Sequence, residues 1–157
     1  MERVFAVIEA AALALWIGAL AGFAFVFAPL AFSTIGGNVE AFGTLVGLVL
    51  GRLNLLGYVC GALALLAVFV RNREDSSLGR GSALRALILV VMLLIVVVEA
   101  EFVIPAVHDA GLAHSGSYDR LHALSSTLYG FVIILGLVAL GMSVLARPEA
   151  IRRRSSR

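Results

Sequence analysis

A few ionisable side chains stand out against an apolar background: Glu9, Arg52, Glu99, Glu101, His108 and His122. At membrane depth such groups are costly. They face a bundle interior, pair with one another or mark a pathway. Counted from Arg85 at about 1.5 Å per helical residue, Glu99 lies about 21 Å along its apolar stretch and Glu101 about 24 Å. Both are therefore expected just beneath one surface of a ~30 Å hydrocarbon core. Two positions apart on a helix, they point to roughly opposite faces, so one is expected to face the bundle and the other the interface or a neighbour. Pro105 cannot donate to the carbonyl of Glu101, which frees a backbone acceptor at the same level. His108 follows Glu101 by seven residues, on the same face if the helix continues. Further along, His122, Ser125, Ser126 and Tyr129 recur at i, i+3, i+4 and i+7 and form one polar face. Arg52 belongs at this depth too, with Asn54 and Tyr58 just below it.

Three chemistries compete for this group. In the first it is a structural polar cluster of Arg52, Asn54, Glu99, Glu101, His122, Ser125 and Tyr129. Arg52 would pair with Glu99 or Glu101, and His122 would hydrogen-bond across the bundle. In the second, Glu99, Glu101, His108 and His122 hold a transition-metal ion. Two carboxylates with one or two imidazoles suit zinc, copper(II) or iron, although no tight ligand motif is present. In the third, Glu99 or Glu101 is the titrating carboxylate of a proton or small-solute pathway. Haem ligation would rest on His122, the one histidine well inside a span. No enzyme is expected: Ser125 and His122 share a helix at i, i+3, which leaves no separate oxyanion site. The single cysteine, Cys60, excludes an intrachain disulfide and any multi-cysteine metal site.

The elements that must position these residues are transmembrane helices. Of the 157 residues 61% are hydrophobic and only 14% charged, against about 25% charged in ordinary soluble domains. The mean hydropathy is +1.04. The expected fold is all-α: a polytopic bundle of four spans over residues 4–32, 53–70, 83–105 and 119–146, in one membrane domain. The first span is too long for a signal-peptide core of ~7–15 residues, carries Glu9 and lacks a clear cleavage site, so it is expected to persist. Residues 38–52 form a separate helical pattern, with Val39, Phe42, Val46, Val49, Leu50 and Leu53 at helical spacing and Asn38 as N-cap. They are expected as an interfacial helix feeding a kinked start of span two. One long tilted helix is the alternative. Ser117 is a plausible N-cap for span four, with Asp119 in its first turn.

All the basic residues are arginines, and their distribution sets the orientation. The connection between spans two and three carries Arg71, Arg73, Arg80 and Arg85. The tail over 147–157 carries five more and the N-terminus has Arg3. Residues 33–40 and 108–117 carry none. Both termini are therefore expected in the cytoplasm of a bacterial inner membrane. With arginines clustered at helix ends, the partner is the lipid bilayer and not nucleic acid. Glu9, near the cytoplasmic end of span one, is expected to snorkel or to pair with Arg85 or Arg147. Trp16 is too deep for an interfacial anchor and is read as packing.

Glycines at four-residue intervals (Gly18/Gly22, Gly43/Gly47/Gly51, Gly57/Gly61) allow close helix approach in lipid. They serve either the bundle itself or a homo-oligomer contact. An internal echo also appears. Pro29 and Pro105 each stand near the end of a span, and each is followed thirteen residues on by an aromatic, Phe42 or Tyr118, that opens the next helix. A duplicated two-helix unit would have this form.

These landmarks resemble the transmembrane protein 205-like family, whose bacterial members carry the domain of unknown function 4149. The resemblance rests on Trp16-Ile17-Gly18, on Ala28-Pro29-Leu30-Ala31-Phe32, on the glycine-bearing helix over 42–52, and on Val98-Glu99-Ala100 before Pro105. The segment from Tyr118 to Tyr129, with His122-x-x-Ser125-Ser126 inside it, is its most specific piece. It implies four helices and no established catalytic activity. The family pattern has asparagine six residues before the proline and again seven after the histidine, where this chain has Glu99 and Tyr129. If those asparagines meet across helices, a carboxylate–phenol pair takes their place here. A more distant similarity is to copper-resistance membrane domains, which also use Trp-x-Gly helices. They begin with a membrane histidine where Glu9 stands.

Overall fold

Two prolines and a heptad seam organise the chain. The structure is a computed structural model that describes residues 2–74, 79–113 and 116–145. Every regular element among these is helical: α1 (Glu2–Gly22), α2 (Ala28–Ile35), α3 (Val39–Glu74), α4 (Gly79–Val98), α5 (Ile104–Leu112) and α6 (Tyr118–Leu145). Five-residue π-helical turns, Phe23–Phe27 and Glu99–Val103, join α1 to α2 and α4 to α5 without a break. The result is four rods long and apolar enough to cross a membrane: Arg3–Ile35, Val39–Arg73, Gly81–Gly111 and Tyr118–Leu145. The protein is a multi-pass membrane protein built as an all-α four-helix bundle.

Each π-turn ends two residues before a proline, and the reason is steric. A proline ring clashes with the carbonyl four residues back and offers that carbonyl no N–H. Widening the helix by one residue moves the carbonyl aside, and the N–H of the residue before the proline then bonds five residues back. Accordingly the N–H of Ala28 donates to Phe23 O and that of Ile104 to Glu99 O. This device corrects the expected end of span three near Pro105, since the helix passes the proline and runs on to Leu112.

The expected separation of an interfacial helix over 38–52 from span two is also absent. A single α3 of 36 residues, about 54 Å at 1.5 Å per residue, runs through both. No proline interrupts it. In lipid, glycines alone cannot end a helix, because a freed backbone group finds no water. Its start is capped as expected, with Ala41 N donating to Asn38 Oδ1 at 3.0 Å. The opening of α6 likewise follows Ser117, whose carbonyl accepts from Leu121 N at 3.1 Å.

The core lies along positions spaced three and four apart on every rod: 6, 9, 13, 16 and 20 on α1; 54, 57, 61, 64, 68 and 71 on α3; 82, 85, 89, 92, 96 and 99 through α4; 125, 129, 132, 136, 139 and 143 on α6. All of these are buried except the partly exposed Tyr129. This is the seam of a left-handed antiparallel bundle. Trp16 packs as expected, and the glycines divide by role. A Cβ at Gly57 would lie 2.8 Å from Trp16 Nε1, one at Gly61 2.5 Å from Leu93 Cδ2, and one at Gly136 2.6 Å from Ile17 Cγ1. Those three admit neighbouring helices. At Gly18, Gly22, Gly43, Gly47 and Gly51 a Cβ would meet nothing within 4 Å.

The internal echo is structural. Pro29 and Pro105 are 76 positions apart, and of the seven buried residues of α1 six, at 6, 9, 12, 13, 16 and 20, map at that offset onto buried 82, 85, 88, 89, 92 and 96, while Ile17 maps onto the half-buried Leu93. The chain is two helix pairs of like design, each opening on a rod with a π-turn and a proline.

Candidate functional site

Two polar layers interrupt the seam. Nearer the connection between α3 and α4, Glu9 is fully buried between two arginines that are 5% (Arg71) and 3% (Arg85) exposed. Arg71 Nη1 donates to Glu9 Oε2 at 2.5 Å, and Arg85 Nη1 to Oε1 at 3.1 Å. Beside them Ser82 Oγ donates to Asn72 Oδ1 at 2.7 Å, tying α4 to the end of α3. Of the expected alternatives for Glu9, the Arg85 pair forms; Arg147 and the tail over 147–157 lie outside the described residues. Arg71 was not expected as a partner. A seam signal could have found it, since it stands three and seven residues beyond Val68 and Ala64 on the same stripe. Arg73, two residues on, is exposed and lies over the Phe69 ring at 4.7 Å.

The second layer, about 21 Å further along α4, holds Glu99, Ser125, Tyr129 and Asn54. Ser125 Oγ donates to Glu99 Oε2 at 2.9 Å, joining α6 to the π-turn. Tyr129 Oη donates to Asn54 Oδ1 at 2.8 Å, joining α6 to α3. The Tyr129 phenol lies within electrostatic reach of the Glu99 carboxyl. Glu99 is fully buried, and its Oε1 has no hydrogen-bond partner. Of the two acids, Glu99 is therefore the one that faces the bundle, and Glu101 is exposed. The two members of the expected carboxylate–phenol pair are each bonded to a third group, Glu99 to Ser125 and Tyr129 to Asn54.

The rest of the expected cluster does not assemble. Arg52 is exposed, and neither ion pair among the described residues includes it. It stands on the outward side of α3, two residues before the seam position Asn54. His122 is exposed and stacks on the Tyr118 ring at 5.8 Å instead of bonding across the bundle. It sits one turn before Ser125 in the chain, on the outward side of α6. His108 is exposed on α5. Glu99, Glu101, His108 and His122 are thus not brought together. Among the described residues no group of three His, Cys, Asp or Glu is placed to hold a metal ion.

Between the two layers the seam is apolar and closed. Leu13, Leu89, Met92 and Val132 are fully buried, and Trp16 and Val96 are 1% exposed.

A family model described as "Domain of unknown function (DUF4149)" matches residues 11–113, about two thirds of the chain. The chain belongs to this family. No curated protein and no solved structure matches it. The DUF4149 match begins after Glu9 and ends before α6. It therefore contains Arg71, Arg85, Asn54 and Glu99, while Glu9, Ser125 and Tyr129 lie outside it. In this DUF4149 protein each polar layer joins residues inside the matched segment to residues beyond it.

Proposed function

We propose that this chain is a non-enzymatic accessory protein of the bacterial inner membrane, a helical scaffold that works without a resident metal or cofactor. The observation that carries this reading is the closed apolar layer between the two polar ones. Six side chains from α1, α4 and α6, none more than 1% exposed, separate Glu9 from Glu99. A permeation path needs polar groups or water at that depth, and this layer supplies neither. Each polar layer instead ties helices together: Glu9 links α1, α3 and α4, and the Glu99 layer links α3, α4 and α6.

The arginines support an orientation with both termini in the cytoplasm. Ten of the twelve lie near the N-terminus, in the end of α3 and the start of α4, or in the tail, and only Arg52 and Arg120 stand at the other end. Reporters fused after residue 157 and inserted at 114–115 test this, with the first expected to be active only in the cytoplasm and the second only outside it. The accessory role is tested by reconstitution into sealed liposomes. No proton or ion flux above that of empty liposomes is expected. A flux abolished by Glu99→Gln would replace the scaffold with a transporter.

A further inference from the structure

Glu99 has the burial of a structural residue without its partners. An ionised carboxylate in an interior needs a cation or several donors. Glu99 has one neutral donor, Ser125 Oγ, and a buried oxygen with none. Two other buried polar atoms lack partners, but Arg71 Nε belongs to a guanidinium already paired with Glu9, and Ser143 Oγ is neutral. Glu99 is the buried group whose charge nothing answers.

The groups around it confirm the imbalance. From α6 come Ser125 and Tyr129, with Arg120 and His122 exposed further out. From α3 come Asn54, taken up by Tyr129, and the half-buried Tyr58, with Arg52 exposed and outside both ion pairs. On its own rod and on α5, Glu101, His108 and Asp109 are exposed, and Arg85 is occupied by Glu9. None of these sets a positive charge against the carboxyl.

The other rod of like design carries no acid at this place. Glu99 opens the π-turn six residues before Pro105, and Phe23 opens its counterpart six residues before Pro29. The same turn is built with a phenyl ring in that place. π-turns within α-helices occur frequently at functional sites.

We propose that Glu99 is a proton-binding site, a carboxylic acid in the closed bundle that exchanges its proton with the end opposite Glu9. On release the O–H bond breaks, its electron pair stays on the carboxylate and the proton passes to water reaching the π-turn. Loading is the reverse, with hydronium as donor. Exposed Glu101, Phe102 and Pro105 mark the outward side of that turn. Toward Glu9, the apolar layer makes the exchange one-sided. Proton binding of this kind goes beyond the scaffold role and is separable from it, because a one-sided site carries no flux.

Infrared spectra of the full chain in phosphatidylcholine vesicles at neutral pH test the proposal. A protonated-carboxyl carbonyl band is expected that moves to lower frequency when D2O replaces H2O. It should be missing from Glu99→Gln and retained in Glu101→Gln. Should Glu99→Gln fail to fold, Ser125→Ala identifies the band, which should move to higher frequency on losing that hydrogen bond. Ionised carboxylate bands alone would overturn the proposal. So would a protonated band that exchanges only on unfolding, which marks an inert structural acid. Loss of the band on adding sodium or zinc, with release of a proton, would make Glu99 a cation site instead.

Discussion

The bundle buries two glutamates completely and treats them in opposite ways. Glu9 receives two arginines, one on each carboxylate oxygen. Glu99 receives one serine hydroxyl on one oxygen. Both lie at seam positions of long apolar rods, so burial alone does not explain the difference. The Glu9 layer stands where α3 ends and α4 begins, and long arginine side chains from both reach it. The Glu99 layer stands at the π-turn, where the cations at hand, Arg52 and Arg120, project away. The first layer is over-supplied with positive charge and the second has none. A buried ion group of the first kind fixes helix register; an unanswered carboxyl fixes little, which leaves it available for chemistry.

Substitution at Glu9 should give the largest effect. Glu9→Gln leaves two buried guanidinia without a counter-charge and is expected to cost about 3–5 kcal/mol in reversible unfolding from detergent. A cost under about 1 kcal/mol would mean that both arginines reach water, and the contrast between the layers would vanish. Tyr129→Phe comes next. It removes the donor to the buried Asn54 Oδ1 and should cost about 1–3 kcal/mol, locating the cohesion of the second layer in its phenol–amide bond. Glu99→Gln should cost less than about 1 kcal/mol by the same measurement, because no ion pair is lost and the amide oxygen still accepts from Ser125. A loss as large as that of Glu9→Gln would show an unrecognised counter-charge at Glu99. Smallest is His122→Ala, exposed and outside both layers, expected within about 0.5 kcal/mol of wild type. Zinc and copper should leave the melting temperature of both proteins unchanged. A rise in wild type that His122→Ala abolishes would restore the metal centre.

Much of this arrangement is legible in the residues. Apolar run lengths define the four rods, Asn38 declares the start of α3, and Glu9 with Arg85 forms one of the pairs expected from depth. Depth is also where legibility stops. Arg52, Glu99, Glu101, His108 and His122 share an expected level, and a shared level does not make residues neighbours. Which side a residue faces is hard to see on helices apolar all round, because lipid and core select the same side chains. The heptad seam resolves it. Continued from Met92 and Val96 it reaches Glu99 and passes over Glu101; continued from Ala64 and Val68 it reaches Arg71. The long α3 was obscured by glycines and Arg52, which would end or bend a helix in water but are carried through where the backbone has no alternative partner.

The pairing of Glu9 has a consequence for how the chain is put together. Arg71 lies on the rod that returns directly after the one bearing Glu9, within the first helix pair, whereas Arg85 belongs to the second. The earlier pair can therefore enter the bilayer with its acid already neutralised by an internal base, as a self-sufficient hairpin. The later pair arrives with a spare cation whose place is on that acid. The first half is thus balanced by itself, and the second completes its charge only on docking, when Arg85 meets Glu9 while Tyr129 meets Asn54 and Ser82 meets Asn72.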